Sequence, residues 1–169
     1  MKTHLIEWKR FVRGGNTCNR CESTGETLRT VIRELNAACG SARLRLKTTR
    51  LPASRLAESN SILIDGRPLE QILPAVQVKQ TDCPSCGELI GKSAQCRTVV
   101  VEGRIHEAVP AELIRSAICR AAGCCGDDCN CGCGCGQPED RARTKKVRAS
   151  GEAPCCGLQP PRSRRALKH

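Results

Sequence analysis

Aromatic side chains are almost missing from this chain: Trp8 and Phe11 are the only two, and there is no tyrosine. Two rings cannot build a base-stacking platform for single-stranded nucleic acid. Long apolar runs are missing too, and none approaches the roughly 20 residues that a membrane span needs. The opening MKTHLIEWKRFV carries charges at Lys2, Glu7, Lys9 and Arg10, so it lacks the apolar stretch and cleavage site of a secretory signal. No Ser-His-Asp pattern, phosphate-cradling glycine loop or hydrolytic carboxylate pair is found. His4, His106 and His169 stand isolated and read as structural side chains. The expectation is a soluble, cytoplasmic protein with no membrane partner, and whether it is an enzyme stays open.

What the sequence does have is sulfur. It holds 15 cysteines in 169 residues, six of them between Cys124 and Cys135 in the run CCGDDCNCGCGC. An odd count in a reducing compartment does not fit a paired disulfide scaffold, so metal binding or redox work is the better reading. Charge gives a weaker signal. The net charge is +11, but residues 139–169 alone hold nine Lys/Arg against three acids. A basic, proline-containing tail reads as a solvated disordered segment, and nucleic acid is disfavoured as a partner. Basic side chains there would also offset thiolate charge accumulated on metal.

Periodicity predicts one domain over residues 1–122 and a low-complexity tail over 123–169. A strand is expected at 4–12, with Ile6 and Trp8 on one face, and a helix from about Thr24 to Ala38 with a Leu28, Val31, Ile32, Leu35 stripe. Arg43–Lys47 alternates as a strand, residues 52–59 make a short helix, and Ser61–Ile64 reads as a central strand ended by Asp65-Gly66. Pro68 to Leu73 makes another helical turn, and residues 79–97 look like a loop insertion with its own cysteines. A hairpin turning at Glu102-Gly103 and a helix opened by Pro110 complete the α/β order.

Three cysteine groups carry the chemistry. Cys18 and Cys21 lie at a strand-to-helix turn, where unpaired N–H groups favour a thiolate and Arg20 adds positive charge. They suit either an attacking thiol with its resolving partner or two ligands on one ion. Cys18 is expected to be the more exposed and more acidic of the two. Cys83-Pro84-Ser85-Cys86-Gly87 is a turn that wraps one ion with two sulfurs, with Cys96 the leading third ligand. The fourth is left between His106 and the Cys18/Cys21 pair, the latter requiring the insertion to fold over the first helix. Cys39 and Cys119 fall on or beside apolar helical stripes and read as small hydrophobes. Cys124, Cys125, Cys129, Cys131, Cys133 and Cys135 could hold a multinuclear site, since thiolates select soft thiophilic ions over magnesium or calcium. Cys155-Cys156 follows in the basic segment.

The runs LIEWKR, SILIDGRPLEQIL, DCPSC and VPAELIRSAICRAAGCC, with the Cys18/Cys21 pair, resemble an uncharacterised prokaryotic thioredoxin-like domain of unknown function. The resemblance covers roughly residues 3–122. It implies a thioredoxin-like mixed sheet flanked by helices, and a setting of metal and metalloid resistance. One departure stands out. Thioredoxin-like enzymes carry a cis-proline before the third strand, where this chain has Asn60-Ser61. The functional expectation is thiolate binding, detoxification or transfer of soft metals or metalloids, with Zn or Cu(I) foremost. The alternative is a thiol-disulfide or metal-reducing oxidoreductase using Cys18 and Cys21 with a thiol redox partner.

Overall fold

The computed structural model describes residues 2–38 and 42–123. Cys39 and every cysteine from Cys124 onward, including the six-thiol cluster and Cys155-Cys156, therefore lie outside the described residues.

Strand β1 (Lys2–Phe11) is followed by helix α1 (Asn19–Ala38) and strand β2 (Ala42–Leu51), which runs parallel to β1. A 3₁₀ segment (Ala53–Glu58) leads to β3 (Ser61–Ile64), antiparallel to β1, and on to the short β4 (Arg67–Pro68). These four strands form one mixed sheet in the order β2-β1-β3-β4. Helix α2 (Leu69–Ile72) then opens a second unit: β5 (Val76–Asp82), α3 (Pro84–Ile90), β6 (Gln95–Val101) and β7 (Arg104–His106). Its strands make a three-stranded antiparallel sheet, β5-β6-β7. Helix α4 (Ala111–Ala122) closes the described chain. The expected α/β architecture, a mixed sheet with flanking helices, is what the chain forms.

Alternation places His4, Ile6 and Trp8 on the covered face of β1, all fully buried. Helix α1 lays Leu28, Val31, Ile32 and Leu35 over that face, and α4 adds Ile114, Ala117, Ile118 and Cys119. The approach of α1 to the sheet is close enough to dictate a residue. A Cβ on Gly25 would sit 2.3 Å from the Trp8 ring, so only glycine lets the helix cross there. Trp8 is also flanked by the guanidinium groups of Arg10 and Arg29, 5.0 and 5.7 Å from the ring centre. His4 is structural, as read from its isolation: its Nδ1 meets Asp65 Oδ2 at 2.6 Å. Edge strand β2 exposes Arg43, Arg45, Lys47 and Arg50, charges that discourage another strand from pairing with it.

Two expectations change. Helix α1 begins at Asn19, five residues before the expected Thr24, so Cys21 is inside the helix rather than ahead of it. Residues 79–97, read as a loop insertion, comprise the end of β5, all of α3 and the start of β6. Polar residues mask those strands: Lys79, Gln80, Thr81 and Asp82 give no alternating apolar signal.

Candidate metal centre

Cys18 is the residue immediately before α1, and its carbonyl accepts from Glu22 N at 3.0 Å. The hairpin-like bridge between Arg13 and Asn16 reverses the chain just upstream. Thr17 Oγ1 then donates to Phe11 O at 2.7 Å and anchors the turn to the end of β1. Cys18 is thereby aimed away from its own sheet, toward the second unit.

The second unit contributes three thiols. Cys83 directly follows β5 and occupies the N-cap position of α3, with Pro84 at the first helical position, where a missing N–H costs nothing. Cys86 lies one residue short of a full turn later, fully buried. The β5–β6 ladder pairs Thr81 with Cys96 and Asp82 with Gln95, and Cys83 N donates to Ala94 O at 2.9 Å. This fixes Cys96 beside the turn. Gly87 gives the turn its tightness: its N donates to Cys83 O, and a Cβ there would press Lys92 O at 3.2 Å.

Cys18, Cys83, Cys86 and Cys96 bring their four Sγ atoms within 4.8 Å of one another, and all four are buried. Cys96 donates to Cys86 across 3.0 Å of sulfur–sulfur separation. A tetrahedral ion with bonds of about 2.3 Å to sulfur asks for separations of about 3.8 Å. The four cysteines could thus hold a metal ion with small side-chain adjustments. His106, the other candidate for the fourth position, lies on β7 and is not in the group. Cys21 is not in it either.

Cys21 lies beside Ser59, with 3.2 Å between Sγ and Oγ, and that hydroxyl oxygen accepts from Phe11 N at 2.9 Å. The expectation that Cys18 is an exposed thiol is corrected: Cys18 is 1 % exposed and Cys21 is 0 %. The acidity ordering stands on other grounds. A hydrogen bond from Cys21, then one from Cys96, holds the Cys18 thiol far below the ordinary range against the opposing effect of burial. Donation to Cys18, then burial, pushes Cys21 far up. Burial pushes Cys86 up to about 12, and donation to Cys18 followed by burial raises Cys96 well above the ordinary range. Neighbouring S–H groups thus favour the thiolate form at Cys18 over the same form at its partners. More thiolates require a cation.

Arg20 acts differently from the expected electrostatic helper. Its guanidinium is buried and committed: Nη1 donates to Thr81 Oγ1 at 2.8 Å and Thr81 O at 3.3 Å. Nη2 donates to Asp82 O at 2.5 Å and Glu107 Oε1 at 2.8 Å. Sequence reasoning missed this role, because nothing in the local pattern announces a partner some 60 residues away.

The family profile described as "Domain of unknown function (DUF2703)" matches residues 5–118, well over half of the chain. The chain belongs to the DUF2703 family. An uncharacterized protein from Archaeoglobus fulgidus is 29 % identical over 115 residues, covering 64 % of this chain and 80 % of its own. No solved structure matches. The DUF2703 region includes all four clustered cysteines and stops before the six-thiol run. Among the described residues no helix is long and apolar enough to cross a membrane.

Proposed function

We propose that this DUF2703 chain binds thiophilic metal ions, with one tetrahedral ion held by Cys18, Cys83, Cys86 and Cys96. The convergence of four buried thiols from three chain segments supports this reading. Four sulfurs match the tetrahedral preference of Zn(II) or its softer relative Cd(II), whereas trigonal Cu(I) or As(III) would leave one thiol over. The closed, buried geometry suits retention of an ion rather than open exchange. Transfer and detoxification then fall to the cysteine-rich segment, where Cys124, Cys125, Cys129, Cys131, Cys133 and Cys135 could take further ions. The parallel β1–α1–β2 unit followed by antiparallel β3 and β4, with α4 packed on the same sheet, supports the thioredoxin-like reading of the fold.

Native mass spectrometry of protein expressed in metal-supplemented medium, with thiol counting, tests the proposal. One tightly held ion per chain that survives truncation after Gly123 and disappears in Cys83→Ser is the expected result. A metal-free protein lacking two daltons would instead favour the second reading, thiol-disulfide chemistry between Cys18 and Cys21. The Cys21-to-Cys18 hydrogen bond at the start of α1 supports that alternative. Burial of both thiols counts against large disulfide substrates.

A further inference from the structure

The four-thiol group is assembled from two separate sheets. Cys83, Cys86 and Cys96 are tied together within the second unit by the β5–β6 ladder and the α3 turn. Cys18 comes from the other unit, at the head of α1. A three-thiol half-site and a lone fourth sulfur must be brought into register across that boundary, to within a few tenths of an ångström.

We propose that Arg20 is the positioning residue that sets this register; the inference rests on the four-thiolate reading above. Arg20 is two residues beyond Cys18, in the first turn of α1. Its guanidinium grips Thr81 and Asp82, the two residues that directly precede Cys83 and pair with Cys96 and Gln95. The same group reaches Glu107, in the segment leading to α4, and Asn60 Nδ2 donates to the carbonyl of that residue. One side chain therefore links the Cys18 turn to the end of β5, whose pairing with β6 carries the register on to Cys96. The fork geometry matters: Nη1 and Nη2 meet the carbonyls of adjacent residues at once, which a lysine ammonium cannot reproduce. Burying a guanidinium is costly unless its donors are satisfied, and here four acceptors surround its two terminal nitrogens.

Cobalt(II) binding to the full chain under reducing conditions tests the assignment. The thiolate-to-cobalt charge-transfer intensity reports how many sulfurs bind, and Cd(II) competition reports affinity. To keep the cysteine-rich segment from contributing, all proteins carry serine in place of Cys124, Cys125, Cys129, Cys131, Cys133 and Cys135. Arg20→Gln is expected to lose about one quarter of the charge-transfer intensity, matching Cys18→Ser, as three sulfurs replace four. Its Cd(II) affinity should fall by about tenfold or more, the range of outer-shell changes. Arg20→Lys should not rescue either readout, which separates positioning from simple charge. Arg115→Gln removes a comparable buried-edge ion pair, Arg115 to Glu34 at 2.6 Å, between α4 and the later half of α1 and outside the four-thiol group, and should leave both readouts unchanged. If Arg20→Gln does not fold, Thr81→Val with Glu107→Leu removes two of the four acceptors and should lower affinity in the same direction. A wild-type spectrum from Arg20→Gln, or full rescue by lysine, would overturn the positioning role while leaving the site intact. No thiolate band in the parent protein would overturn the four-thiolate site and this role with it.

Discussion

The two sheets are stabilised by different materials. The β2-β1-β3-β4 sheet is covered by large apolar side chains, with Ile6, Trp8, Phe11, Leu28, Val31 and Ile64 almost fully buried. In the β5-α3-β6 unit the helix buries only Cys86, and β5 buries only Val76. Cys83, Cys86 and Cys96 share the buried side of this unit with Val76, Val99 and Val100, where the first sheet has larger leucine and isoleucine side chains. Four thiols are small, and without an ion they offer modest packing and repel one another once ionised. An apolar core holds under any metal supply; a thiol core depends on what it binds.

Breaking the site should give the largest effect. Serine at Cys83, Cys86 or Cys96 is expected to weaken metal binding by more than about a hundredfold, beyond the range of outer-shell changes. Chelation of the wild type should raise amide exchange across residues 76–101 by at least about thirtyfold while sparing β1 and α1. Hydrogen-exchange mass spectrometry reads this difference directly. Uniform loosening of both sheets would show that the comparison is wrong.

Acidity sharpens the contrast next. Cys86, pushed up to about 12, and Cys96, raised well above the ordinary range, are both protonated at neutral pH. An entering ion must expel at least these two protons, so apparent affinity should fall by about a hundredfold or more per unit as pH is lowered. Cys18, already held ionised, adds nothing to that slope at neutral pH. Competition titrations from pH 8 to 6 with a metal indicator measure it, and a slope near zero would contradict the donor arrangement among the thiols.

In the first sheet the corresponding weak point is steric. Gly25→Ala would drive a methyl into the buried Trp8 ring, and a cost of roughly 1–3 kcal/mol is expected. Denaturant unfolding should show it with metal binding unaffected. Removing residues 124–169 should have the smallest effect, within about 0.5 kcal/mol on the folded domain, while lowering the number of Cu(I) or Cd(II) ions bound by at least one.

Legibility in the sequence followed the same division. The strand at Ile6 and Trp8, the α1 stripe and the Ile62–Ile64 strand were plain because apolar periodicity makes the first sheet. In the second sheet the β6–β7 hairpin was legible from its Glu102-Gly103 turn, whereas the end of β5 and the start of β6 have little periodicity and passed for a loop, yet the cysteine spacing named Cys83, Cys86 and Cys96 correctly as neighbours. Choosing Cys18 over Cys21 or His106 needed the start of α1 to within a residue or two. Beginning at Asn19 turns Cys21 toward Ser59 and leaves Cys18 facing the half-site. Helix ends are where local sequence is least decisive, because a cap competes with whatever tertiary contact lies nearby.

The scarcity of aromatic rings has an optical consequence. With one tryptophan and no tyrosine in the chain, all near-ultraviolet fluorescence comes from Trp8. That indole is sealed under α1 at Gly25, one turn beyond Cys21, between two guanidinium groups. Its emission should be short in wavelength while the helix is docked and shift to the red when the helix lifts. The protein thus carries a natural lamp in its apolar half, expected to tell loss of a bound ion from loss of the fold without any label.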